Sequence, residues 1–295
     1  MITLSKSVQL FATPKLADQL FCATQMIPQY TDAELYNTQL QLNIREKIHA
    51  IEPDMFSYLI DEVCKRLSNP PYCAYITGLK FDTYNLLFLS LIGAFGNVVD
   101  PYKQPWSRLV YYIRPSTDLK IPGWGVLNEQ LHTDGTDWIN PNDLTCLLCL
   151  KTDQSGGGRT QLLDINTIVY ELDRWFGKET IDILSSESLP WLIATELGGG
   201  VFRCPILTSK SIRWLPYTNQ IALKETQESL STNLSKAISQ IKAVIKNRNN
   251  IIDFMMEPNS LLVIDNQRCL HARTPIKHPE LSVRLMLRAK VKWRQ

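Results

Sequence analysis

His132 and Asp134 stand two residues apart, and His271 follows 137 residues after Asp134, within Leu270-His271-Ala272-Arg273. In an extended chain residues i and i+2 point to the same face, so one strand end can offer both an imidazole and a carboxylate to a single ion. Thr133 then faces away. A second imidazole from a distant part of the chain completes a set of two His and one carboxylate that leaves coordination positions open. Zn(II) in a hydrolytic site and Fe(II) in an oxygen-using site both accept this set. The three residues thus indicate a metal chelate and leave its chemistry undecided; the bland alternative is three unrelated polar residues.

Further candidates surround them. Arg284, Met286 and Arg288 share one strand face by parity, so both guanidinium groups can enter one cavity, and the planar fork suits a carboxylate. The apolar residues between them argue against a surface edge. Arg288 is open to two uses, an anionic substrate or an internal salt bridge. Gly156-Gly157-Gly158-Arg159-Thr160 reads as a tight turn with positive φ; a phosphate loop has a different spacing and a Lys that is absent here. Arg159 reads as solvated. Asn128 and Gln130 have the parity of His132 and either line the cavity or form a polar edge, while Asp137 and Trp138 are close enough to form a substrate rim. Cys146 and Cys149 face opposite sides of a strand, which prevents chelation.

These residues need a scaffold. Tyr36, Leu40, Ile44, Ile48 and Ile51 form one apolar stripe and predict a helix over 33–51 that Pro53 limits. A second helix is expected over 54–67, stopped by Asn69-Pro70-Pro71, then a strand over 72–77, and Asp82 resembles an N-cap for an apolar helix reaching Phe95. From Trp106 the period becomes two, with strands expected at 107–114, 144–150, 160–165, 260–265 and 282–291. Short strands separated by Gly, Pro and Asn turns favour an antiparallel barrel or jelly roll over a Rossmann sheet. Between the strand groups, 166–184 reads as helical, 201–223 as two strands around Arg213-Trp214, and 230–245 as a helix with Leu234, Ile238, Ile241 and Ile245 on one face.

The expected fold is mostly β with flanking helices (α+β) around a double-stranded β-helix, a jelly-roll or cupin-like core. One domain over 1–295 is expected: a mostly helical part at 1–104, core halves at 105–165 and 258–295, and an insert or lid at 166–257. With 44% hydrophobic and 20% charged residues, the 295-residue chain can bury a sizeable core. A net charge of +2 without like-charge runs gives no case for nucleic acid or a membrane surface, so the expected partner is a small molecule. Seven Cys without a repeated spacing suit a reducing cytoplasm, and no signal core or apolar stretch of membrane-spanning length is visible. Oligomeric state is not legible.

Four stretches resemble the taurine/2-oxoglutarate dioxygenase superfamily, including the clavaminate synthase-like enzymes, in the family's order: His132-Thr133-Asp134-Gly135, Gly156 to Thr160, Asp265-Asn266-Gln267-Arg268-Cys269-Leu270-His271-Ala272-Arg273, and Val283 to Arg288. The resemblance covers roughly 105–292. It implies Fe(II) held by His132, Asp134 and His271, with 2-oxoglutarate and O2 as cosubstrates. It further implies that Arg284, thirteen residues beyond His271, pairs with the distal carboxylate of 2-oxoglutarate, that Thr160 supports that carboxylate, and that Arg288 faces the primary substrate. The implied reaction is hydroxylation of a C–H bond of a small anionic substrate, such as a free or carrier-bound amino acid or a related carboxylate or sulfonate in specialised metabolism, with succinate and CO2 as co-products. The retained Asp134 disfavours halogenation. Desaturation, epoxidation and ring closure use the same ligands, and a Zn(II) hydrolase or a non-catalytic jelly-roll binding module is the alternative of another class.

Overall fold

In the computed structural model, which describes residues 3–102, 108–115 and 129–293, strand β1 (Gln9–Phe11) leads into α1 (Pro14–Gln25), α2 (Asp32–Leu35), α3 (Thr38–His49) and α4 (Pro53–Leu67). The Thr13 hydroxyl caps α1, and Pro14 suits its first turn because its missing N–H would have no helical partner there. The helix expected over 33–51 divides at Asn37, whose side chain accepts hydrogen bonds from the N–H groups of Gln39 and Leu40 and so starts α3 afresh. Pro53 opens α4 for the same reason that Pro14 opens α1. After β2 (Cys73–Thr77) comes α5 (Leu86–Gly93). Its first N–H groups, those of Leu86 and Leu87, donate to the Asp82 carboxylate at 3.0 and 2.9 Å, although Asn85 is the residue adjoining the helix.

The remaining elements are β3 (Gly96–Val99), β4 (Tyr111–Ile113), β5 (Glu129–His132), β6 (Leu144–Lys151), β7 (Thr160–Asp164), α6 (Ile165–Phe176), α7 (Lys178–Ser186), β8 (Leu189–Leu192), β9 (Val201–Cys204), α8 (Pro216–Thr226), α9 (Thr232–Lys246), β10 (Ile252–Phe254), β11 (Ser260–Asp265), β12 (Cys269–Arg273) and β13 (Leu285–Trp293). They form a large sheet of order β1-β2-β11-β6-β13-β3 with β4 also on β13, a smaller sheet of order β10-β7-β12-β5, and a separate β8-β9 hairpin. The expected α+β class with a jelly-roll core is what the chain adopts.

Three local expectations need correction. The stretch 166–184 is two helices, because Gly177 at φ +83° turns the chain between α6 and α7. Around Arg213-Trp214 there is an isolated Leu207 to Ile212 bridge followed by helix α8, opened by Pro216, where a second strand was expected. Strand β10, inside the stretch read as an insert, pairs with β7 and so belongs to the smaller sheet. The part of the expected 107–114 strand before residue 108 lies outside the described residues.

Strand parity divides the core into two layers. Leu144, Cys146 and Leu148 of β6 and Leu287, Ala289 and Val291 of β13 pack against the N-terminal helices. Leu147, Cys149 and Met286 belong to the second layer, which joins the inner face of the large sheet to the smaller sheet and to α6, α7 and α9. Cys146 and Cys149 thus face opposite layers, and both thiols are free.

Candidate functional site

His132 ends β5 and His271 lies in the middle of β12, and the two are direct cross-strand partners. Their ring centroids are 4.6 Å apart. Asp134, two residues past the strand end, turns back toward them: its Oδ1 lies 4.0 Å from His132 Nε2 and its Oδ2 3.7 Å from His271 Nε2. One ligand atom from each residue falls within 4.8 Å of the others, and all three residues are buried. His132 Nδ1 lies 2.8 Å from the Gln130 carbonyl; as the donor there, it leaves the Nε2 lone pair free on the side of Asp134 and His271.

Asp134 is held on every side. Its N–H donates to Asn266 Oδ1 at 2.7 Å, and Asn266 Nδ2 donates to its carbonyl at 3.0 Å, so one carboxamide fixes the backbone of this residue. The Thr145 hydroxyl donates to Oδ2 at 2.7 Å. Arg288 Nη1 and Lys290 Nζ lie 3.6 and 3.9 Å from Oδ1. Burial alone would raise the carboxyl pKa, but Lys290, Arg288, His271 and His132 outweigh it and hold Asp134 well below the usual carboxylate range. An ionised carboxylate beside two imidazoles is a donor set suited to a divalent ion with open positions.

The turn that carries Asp134 is anchored from the stretch between β9 and α8. Thr133 N–H donates to the Trp214 carbonyl at 2.9 Å, and Trp214 N–H donates to Thr133 Oγ1 at 3.0 Å. Arg213 reaches the carbonyls of Thr136, Trp138 and Ile139 at 3.1, 2.7 and 2.9 Å, with its guanidinium over the rings of Phe202 and Trp191.

Beside the triad is a pocket whose walls include Thr160, Arg273, Arg284, Met286 and Arg288 as well as both His residues. Thr160 and Arg284 are buried. Gly158, at φ +67°, lies directly against Arg284. Arg288 Nε is buried and has no hydrogen-bond partner among the described residues. Arg159 is not simply solvated, since it forms an ion pair with Asp253.

Of the other expected rim residues, Asp137 accepts a hydrogen bond from the Tyr102 hydroxyl at 3.0 Å, and Trp138 Nε1 donates to the same hydroxyl at 2.9 Å. The Trp138 ring is buried, with Lys290 Nζ 4.5 Å from its centroid. Gln130 has an exposed side chain, and only its carbonyl reaches the site. Asn128 lies outside the described residues.

Sequence reasoning did not single out Asn266, Thr145, Lys290 or Arg213. Parity held the signal for two of them: Lys290 continues the Arg284-Met286-Arg288 face, and Thr145 is the polar residue on the inner face of an apolar strand.

The chain thus combines a two-sheet jelly roll with a buried His-Asp-His cluster inside it. Residues 201–290 match the taurine catabolism dioxygenase TauD, TfdA family. No curated protein matches the chain. Among solved structures, asparagine oxygenase in complex with Fe(II), 2S,3S-3-hydroxyasparagine and succinate is similar at TM-score 0.78, with 15% identity over 97% of this chain and 93% of that one. The non-heme iron oxygenase OrfP in complex with Fe, succinate and (3S)-hydroxy-L-Arg gives 0.74, with 18% identity over 96% and 93%. OrfP with Fe and alpha-ketoglutaric acid gives 0.71, with 18% identity over 96% and 94%. At these identities the structural likeness establishes the fold. The resemblance to the taurine/2-oxoglutarate dioxygenases is borne out by the family match and the fold together.

Proposed function

We propose that this chain is an Fe(II)- and 2-oxoglutarate-dependent dioxygenase that hydroxylates a small anionic substrate of the amino-acid class. The observation that carries the reading is the convergence of His132, Asp134 and His271 to within 4.8 Å beside a pocket that also holds Thr160 and Arg284. The solved neighbours support the substrate class, since their complexes contain hydroxyasparagine and hydroxyarginine.

The donor set fits Fe(II): two imidazoles and one ionised carboxylate, with the remaining positions left to small ligands. When bound, Fe(II) with 2-oxoglutarate and O2 supplies oxidative decarboxylation of the cosubstrate to succinate and CO2, coupled to insertion of oxygen into a C–H bond. The chain's own residues bind and orient. Arg284 offers a planar fork to the distal carboxylate of 2-oxoglutarate, and the Thr160 hydroxyl supplies one further donor there. Met286, Leu147 and Ile113 line the same pocket and keep its walls dry. Arg288, with a buried Nε aimed at no described partner, faces the primary substrate. Asp137 and Trp138, joined through Tyr102, form part of the rim.

A Zn(II) hydrolase has no task for Arg284 and Thr160 in these positions. The test is turnover: protein loaded with Fe(II) should convert 2-oxoglutarate to succinate with O2, and His132→Ala should stop it. Hydrolysis of an ester or amide in the Zn(II) form, without succinate in the Fe(II) form, would overturn the reading.

A further inference from the structure

Thr145 on β6 and Lys290 on β13 are direct cross-strand partners, and they divide the Asp134 carboxylate between them. The Thr145 hydroxyl donates to Oδ2 at 2.7 Å, while the Lys290 ammonium stands 3.9 Å from Oδ1, too far for a hydrogen bond. Thr145 and the two Asn266 hydrogen bonds to the Asp134 backbone therefore hold this residue in place without help from Lys290. What Lys290 adds is charge.

Its surroundings keep that charge on the protein side. Lys290 is not among the walls of the pocket, which on this strand are formed by Met286 and Arg288. The Trp138 ring covers the ammonium, with Nζ 4.5 Å from the ring centroid. Burial draws its pKa below the ordinary lysine value, and the Asp134, Asp137 and Asp100 carboxylates oppose this by favouring the charged form. These three acids compensate the ammonium, so it needs no anion from a substrate. Arg288 differs, because it lines the pocket and a substrate can take up its charge. The field of Lys290 at Asp134 is therefore the same whether the pocket is full or empty.

We propose that Lys290 is a positioning residue that acts through Asp134 to raise the Fe(III)/Fe(II) potential and to moderate the grip on a divalent ion, an inference that rests on the oxygenase reading. A cation beside a ligand carboxylate offsets part of its negative charge. Fe(III), with one more positive charge, loses more by this than Fe(II) does. The step opposed is the loss of one electron from resting Fe(II) to O2, which would become superoxide and leave Fe(III) with no substrate bond changed.

The test compares Lys290→Met, which removes the charge at similar length, Lys290→Arg, which keeps it, and Asp137→Asn, which removes one compensating negative charge. Co(II) affinity is measured by competition with a chelating dye, and the Fe(III)/Fe(II) midpoint by mediated redox titration without O2. Lys290→Met should bind Co(II) about tenfold more tightly, a modest share of the interaction between charges at this range. Its midpoint should fall by about 59 mV, the same factor for one electron. A tighter site is not what loosened packing produces. Lys290→Arg should stay within about threefold of wild type, since it keeps the charge. Asp137→Asn should move both readouts the opposite way, which tests the sign even where Lys290→Met does not fold. Unchanged or weaker Co(II) binding in Lys290→Met, an unmoved midpoint, or an Asp137→Asn shift that is absent or in the same direction would each overturn the proposal. The visible Fe(II)·2-oxoglutarate band of the wild type separates the two readings: with the band present these outcomes overturn this proposal alone, and iron-loaded protein without it overturns the oxygenase reading as well.

Discussion

A Cβ placed on Gly158 would fall 2.8 Å from Arg284 Nε and 2.9 Å from its Cδ. The glycine turn thus packs against the residue that precedes the last strand, 126 residues further along the chain. The turn also requires Gly158's φ of +67°, which costs an L residue about 1–2 kcal/mol.

Gly158→Ala should therefore act like a partial Arg284→Ala. The 2-oxoglutarate concentration for half-maximal succinate formation should rise by about tenfold or more, because the displaced fork loses its paired hydrogen bonds. Iron affinity should hold. Gly156→Ala, also at positive φ but with nothing within 4 Å of its Cβ, should lower stability without changing the cosubstrate requirement. Equal effects of the two substitutions on the cosubstrate would show that the turn, and not its contact with Arg284, matters.

Asn266→Ala removes both hydrogen bonds to the Asp134 backbone and leaves a buried N–H and carbonyl without that partner. Stability should fall by about 2–3 kcal/mol. Metal affinity should fall by roughly 10- to 100-fold, as expected when the support of a ligand is lost. Denaturant titration of the metal-free protein and Co(II) titration separate the two effects; unchanged Co(II) affinity would mean that the triad does not depend on Asn266.

Arg213→Lys should behave more like Arg213→Ala than like the wild type. The guanidinium reaches three carbonyls of the loop after Asp134 and stacks on Phe202, and a single ammonium on a flexible stem cannot reproduce that fork. Both variants should bind Co(II) more weakly and alter its visible spectrum. Free guanidinium ion should partly restore the Arg213→Ala spectrum. A wild-type spectrum in Arg213→Ala would remove the residue from any positioning role.

Asp153 gives the turn a pH dependence. Burial pushes its carboxyl up, but hydrogen bonds from Ser155, Ser282 and the Gly157 N–H prevail and hold it below the usual value of 3.8. A depressed folded-state pKa contributes stability that is present above the unfolded value and is lost as pH falls through the folded one. Asp153→Asn should therefore be less stable than wild type at neutral pH, and the gap should narrow as pH falls below about 4. Urea midpoints across that range measure it; a constant gap would mean that the interactions do not depend on the charge.

The candidate metal ligands and the pocket arginines were legible because strand parity and local motifs place them without reference to the rest of the chain. His132, Asp134, Arg284 and Arg288 are separated by even steps within two short stretches, and apolar alternation in β6 and β13 marked the inner face. The supporting residues that went unread depend on contacts distant in sequence. Nothing near Arg213 shows that its guanidinium will bind the loop at 136–139, and Asn266 supports Asp134 from 132 residues away. The missed division at Gly177 and the helix after Pro216 were local signals, overridden in reading by the apolar pattern around them. The exposed Gln130 side chain shows that parity can be right about direction along a strand and still say nothing about what covers it.

The most direct measurement is the visible spectrum of Fe(II)-loaded protein on anaerobic addition of 2-oxoglutarate. If His132, Asp134 and His271 hold the iron with Arg284 presenting the cosubstrate, a weak charge-transfer band should appear, and it should vanish in His271→Ala. Protein with confirmed iron loading at the wild-type site that gives no band would contradict the assignment.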